Sequence, residues 1–200
     1  MTELLIAPAR ETGCGDLESL TEVIDQAAQR QRSPVDDILD SGMVDEEPYM
    51  RTLAGELGME WLDDIPEVES PLPLREACGP RLALKHRVLP VGFEGDEAAP
   101  RLVIATFDPL NIIARQAAVQ AVDLPIVWKM ASRRRIHDAL RRLYGVGADT
   151  FEQILEGRDM DYENLEMKDE ANVIDADEDE EASVGKFVTQ FIRESLDQRA

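Results

Sequence analysis

Pro66, Pro71, Pro73 and Pro80 set the strongest constraint on this 200-residue chain. Proline has no N–H to donate, and its ring collides with the preceding helical turn. Neither a long helix nor a central strand can run through residues 66–80. The chain therefore divides there. Before the prolines, apolar residues recur at helical spacing. After them they form short runs of strand length.

On the N-terminal side, residues 1–15 read as irregular, because Pro8, Gly13 and Gly15 interrupt the pattern. Asp16 then caps a helix to about Gln31, with Leu17, Leu20, Val23, Ile24 and Ala27 on one face. Ser33-Pro34 is a cap with proline at the first helical position. The helix it opens carries Val35, Ile38 and Leu39 and stops at Gly42. Asp45 caps another, with Glu46 and Glu47 in the first turn, where the helix dipole favours acids. Tyr49, Met50, Leu53 and Leu57 form its stripe, and Gly58 ends it.

On the C-terminal side the period changes. Arg87 to Phe93 reads as a strand, Gly95-Asp96-Glu97 as a turn, and Leu102 to Thr106 as a central strand. Asp108-Pro109 starts a helix to about Ala121, with Asp108 as its cap. Leu124 to Met130 is a third strand, and Ser132 caps a helix ending at Tyr144-Gly145. The expected fold class is α+β. A small helical bundle (1–64) leads through a Pro-rich connector (65–84) to a compact α/β part with a sheet of three strands or slightly more (85–145).

Charge marks the next boundary. The chain has 42 acids and 21 bases, a formal charge of −21. Residues 158–182 hold twelve of those acids and two of the bases. Such a segment is too poor in apolar groups to offset its ordering entropy, so 146–182 reads as an acidic flexible linker. Residues 183–200 return to helical spacing and read as an amphipathic C-terminal helix that opens a following domain. A strongly acidic chain is a poor partner for nucleic acid or anionic lipid.

The residues that carry chemistry elsewhere are scattered here. Cys14 and Cys78 have no paired spacing, and His86 and His137 lie far apart, so no metal site is expected. There is no Gly-x-x-x-x-Gly-Lys-Ser/Thr loop, no Gly-x-Gly-x-x-Gly and no Gly-x-Ser-x-Gly. No catalytic residue and no cofactor are expected. Arg133, Arg134, Arg135, Arg141 and Arg142 make one helix strongly basic; it is either a solvated face or a site for an acidic partner. No apolar run approaches the roughly 18–20 residues that span a bilayer, and no signal peptide opens the chain. Cytoplasm is the expected compartment.

Gly42-Met43-Val44-Asp45-Glu46-Glu47, Leu53-Ala54 and Leu57-Gly58-Met59-Glu60-Trp61-Leu62-Asp63 resemble a helical repeat of a known family. With the order of elements in 87–144, they resemble the N-terminal domain of the ATPases that drive type II secretion and type IV pilus assembly. The resemblance covers about residues 16–145. Residues 184–199 resemble the helix that opens the family's next domain, so by the resemblance the chain reads as an ATPase shorn of its motor. The resemblance implies a non-catalytic regulatory and adaptor domain. Its partner would be the cytoplasmic domain of an inner-membrane secretion or pilus assembly protein, with the motor domain separate or absent.

One branch of that family binds cyclic di-GMP through tandem Arg-Leu-Gly-x-x-Leu repeats. Here Ser33-Pro34-Val35 stands at the second such position, and no triplet precedes Leu17. Without the arginine, and without glycine's close backbone approach, that ligand is not expected. A cyclic di-GMP sensor and a stand-alone scaffolding protein are the rival readings. For docking, Tyr49, Met50, Arg51 and Trp61 are the candidate partner-binding residues, since Met, aromatic and Arg side chains are enriched at interface cores. The competing reading places Tyr49, Met50 and Trp61 in the core, and it is the favoured one for Met50 and Trp61.

Overall fold

The computed structural model describes residues 2–66, 71–96 and 98–155. The expected C-terminal helix (183–200), and the expected acidic linker beyond residue 155, lie outside the described residues.

Four helices come first: α1 (Thr2–Glu11), α2 (Leu17–Gln29), α3 (Val35–Asp40) and α4 (Glu46–Glu56). The first corrects the sequence expectation, since residues 1–15 are largely helical. Pro8 sits inside α1 and withholds one helical hydrogen bond. Packing outweighs that loss, because Leu5, Ile6 and Ala9 are buried in the shared core. The helix then closes with a Schellman pair, Cys14 N–H to Ala9 C=O (2.8 Å) and Gly13 N–H to Arg10 C=O (3.3 Å), with Gly13 at φ +87°. Asp16 caps α2 as expected, its side chain accepting from Ser19 N–H. Ser33 Oγ accepts a long bond from Val35 N–H (3.5 Å) at the start of α3, whereas the cap expected at Asp45 makes no side-chain bond.

The connector is more ordered than the prolines suggest. Two short helices, α5 (Leu72–Ala77) and α6 (Pro80–His86), occupy it, with prolines only in their first turns. Then follow β1 (Leu89–Glu94), β2 (Arg101–Thr106), α7 (Ile112–Ala121), β3 (Ile126–Met130), α8 (Arg133–Leu143) and α9 (Ala148–Leu155). Ser132 caps α8 by accepting from Arg135 N–H. Phe151 and Ile154 of α9 are buried, so structure runs past the boundary expected at 145.

The sheet has order β1-β2-β3. β1 and β2 are antiparallel, with Leu89 opposite Ala105 and a bulge between Pro90 and Gly92. β2 and β3 are parallel, Leu102 opposite Ile126, and α7 supplies the crossover that a parallel pair requires. β2 is central and apolar, and its side chains from Leu102 to Thr106 are buried. The outer edge of β3 is partly covered from the helical side. Met130 N–H donates to Glu60 C=O (2.8 Å) and Leu62 N–H donates to Met130 C=O (2.7 Å), a parallel bridge at Trp61.

Candidate functional site

The helical and α/β parts meet through charge. Arg87 follows α6 in the left-handed region at φ 52°, a position usually given to glycine. Val88 N–H closes the helix end by donating to Ala83 C=O (3.0 Å). From there the Arg87 guanidinium forms a two-pronged pair with Asp36 on α3 and lies 4.9 Å from the centre of the Phe107 ring. Arg133, in the first turn of α8, bonds Asp40 at 2.6 Å and approaches Asp36 at 3.4 Å and Glu46 at 3.9 Å. Arg135 reaches Glu47 at 3.5 Å. Two elements of the α/β part thus grip the acidic faces of α3 and α4.

This clasp lines a cleft of about 870 Å³, whose wall mixes the cations Arg32, Lys85, Arg134 and Arg141 with the acids Asp37, Asp40, Glu46 and Asp138. At its floor the His137 ring meets Phe107 and Phe151 edge-on, with centroids at 5.7 and 5.3 Å. Burial, with the nearby Arg87 and Arg133, pulls the His137 pKa down to about 4. At neutral pH it is an uncharged ring in the wall. Among the described residues no group of His, Cys, Asp and Glu could hold a metal ion.

A second junction involves Asp108, expected as the cap of α7. The structure corrects that. Asn111 caps α7, accepting from Ala114 N–H at 3.0 Å, because residues 108–111 form a turn first. Asp108 is 5% exposed, and its Oδ1 accepts from Leu110 N–H (3.2 Å) and from the Ser33 hydroxyl (2.6 Å). Burial raises its pKa to about 6, against the lowering effect of the Ser33 hydrogen bond.

The candidate docking residues separate. Tyr49 and Met50 are both 0% exposed, and the Tyr49 hydroxyl donates to Leu5 C=O. Arg51 is exposed. It pairs with Asp63 and with Glu47 (3.4 Å), and its guanidinium lies 5.5 Å from the Trp61 ring centre. Trp61 is half-buried beside β3, so Arg51 and Trp61 come together at the surface while their two neighbours face inward. Asp36, Arg87 and Arg133 did not emerge from the sequence as a set, since residues so far apart carry no common spacing. The left-handed, cation-bearing end of α6 leaves no sequence mark either.

A protein-family comparison matches residues 57–150 to the MshEN domain, from the end of α4 through the sheet and α8 into α9. That stretch is similar to an MshEN domain. The MshEN domain is the non-catalytic N-terminal part of ATPases, which agrees with the resemblance to the secretion and pilus ATPases. The MshEN match starts at Leu57, so it includes the Glu60–Leu62 segment that borders β3. Among solved structures, that of MshE with cdg shares 21% identity over 70% of this chain and 98% of that one, with a TM-score of 0.53. Two crystal forms of the N-terminal domain of XpsE share 24% and 25% identity, each over 61% of this chain and over 93% and 94% of theirs, with TM-scores of 0.40. The first likeness supports the fold alone. No curated protein matches this chain significantly.

Proposed function

We propose that this chain is the non-catalytic regulatory and adaptor domain of a type II secretion or type IV pilus assembly ATPase. It docks the motor to the cytoplasmic domain of an inner-membrane assembly protein, and that partner holds it at the membrane from the cytoplasmic side. The match of residues 57–150 to the MshEN domain carries this reading. No helix among the described residues is long and apolar enough to cross a membrane, so attachment through a partner suits the fold. Arg51 and Trp61 supply the docking face, as an exposed cation over an aromatic ring.

Titration calorimetry against the cytoplasmic domain of the cognate inner-membrane protein tests this. Binding is expected, and Arg51→Glu should weaken it at least about tenfold with an unchanged circular dichroism spectrum. Unaltered binding by the variant would remove this face. No binding by the parent chain would remove the adaptor reading.

A second reading is a cyclic di-GMP sensor, favoured by the shared fold with MshE with cdg. Against it stand Ser33, whose hydroxyl is engaged by Asp108, and the fully buried Val35. The same calorimeter decides: micromolar binding of cyclic di-GMP that is lost on altering residues 33–35 would promote it.

A further inference from the structure

Five large apolar side chains stand well exposed among the described residues, and three of them are on α7: Ile112 (65%), Ile113 (67%) and Val119 (67%). The opposite face of α7 is committed to the core through Ala114 and Ala118. At 100° per residue, Ile112, Gln116 and Val119 form one outward strip, and Gln120 and Ile113 flank it. Arg115 borders the other side, its guanidinium 5.3 Å from the Trp128 ring centre. β-Branched residues are poorer helix formers than alanine or glutamine, so an exposed face gains nothing locally from three of them. Contiguous exposed apolar surface of this kind points to a contact.

Two observations say what covers it. The chain has 42 acids, yet residues 109–122 contain none, and only one base, Arg115. The strip is thus a region where a second equally acidic chain meets no carboxylate. The strip is also self-complementary. Antiparallel pairing about a two-fold axis at Gln116 brings Ile112 against Val119 of the partner subunit on one flank and Ile113 against Gln120 of the partner subunit on the other. Gln116 then faces its own copy, where two amides can bond each other. A two-fold contact requires one patch to fit itself in this way.

We infer that a second copy of this chain docks on α7, helix against antiparallel helix. This goes beyond the adaptor reading and stands or falls separately from it. The net charge opposes association at long range, but salt screens such repulsion beyond about 8 Å at physiological ionic strength. Raising the salt concentration should therefore tighten the dimer.

Sedimentation equilibrium of the full chain, combined with cysteine cross-linking, tests the inference. Cys14→Ser provides the background, since the remaining Cys78 is buried. A reversible monomer–dimer equilibrium is expected, and Val119→Glu should raise its dissociation constant at least about tenfold. Under mild oxidation Gln116→Cys should give a disulfide-linked dimer, while Ala121→Cys, displaced along the helix from the axis, should not. A monomer at all concentrations up to about 0.5 mM overturns the proposal. So does a dimer indifferent to Val119→Glu, or equal cross-linking at positions 116 and 121.

Discussion

The Ser33 hydroxyl donates to Asp108 Oδ1 across 2.6 Å, joining residues 75 positions apart. It ties the entry of α3 to the turn after β2. Both of the bonds accepted by the Asp108 side chain fall on one oxygen. Asparagine keeps that oxygen and removes a charge that sits poorly solvated and near Asp36. Asp108→Asn should therefore stabilise the fold at pH 7, by up to about 3 kcal/mol. Asp108→Ala should destabilise it, because Ser33 and Leu110 lose their acceptor. Urea unfolding at pH 7 distinguishes the two signs.

Asp108 and His137 oppose each other in the dependence of stability on pH. A carboxyl raised from 3.8 to about 6 binds more protons folded than unfolded, so its contribution is present below pH 4 and lost as pH rises through 6. An imidazole lowered from 6.5 to about 4 binds fewer protons folded, so its contribution is present above 6.5 and lost as pH falls through 4. Between pH 4 and 6 the two slopes offset each other. Asp108→Asn should leave stability rising with pH across that window. His137→Gln should leave it falling. Melting temperatures at several pH values would show both slopes, and equal profiles for the two variants would refute the pairing.

Arg87 combines a strained backbone with the central cation of the clasp. Alanine at this position would lose the guanidinium and keep the left-handed penalty of roughly 1 kcal/mol, which glycine escapes. Arg87→Gly should therefore be the milder change, by about that amount. Equal destabilisation of the two variants would mean that the chain relaxes out of φ 52°.

Gly95, in the turn after β1, has φ +96°, and an added Cβ would lie 2.7 Å from Ala99 C=O. Gly95→Ala should destabilise by more than the roughly 1 kcal/mol of a left-handed conformation alone, since backbone must also shift. Denaturant unfolding checks this.

What the sequence made legible was local. Asp16 and Ser132 bind their own helix starts at three-residue spacing, and the apolar run from Leu102 to Thr106 marks a strand covered on both sides. Where a distant partner competes, local chemistry misleads. Ser33 gives its short bond (2.6 Å) to Asp108 and keeps only a long one (3.5 Å) from Val35 N–H of its own helix, and Asp108 then leaves the capping of α7 to Asn111. Pro8 breaks the pattern of α1, but the core that holds that helix is built from residues on α2 and α4. Tyr49, Met50 and Arg51 are adjacent in sequence, yet only the last faces water. The stripe that buries Met50 with Leu53 was legible, while the tie from the Tyr49 hydroxyl to α1 was not.

The segment from Glu60 to Leu62 gives the helices an edge of the sheet, and Lys129 pairs with Glu60 across 69 positions. Synthesis runs from the N-terminus, so this edge leaves the ribosome well before the strand it accompanies. The hairpin of β1 and β2 can zip from a short loop at once. Closing the edge must wait for β3 and bear the entropy of a long loop. The last strand among the described residues therefore fixes the first helices in place, and a nascent chain halted before residue 126 would hold those helices without their seat.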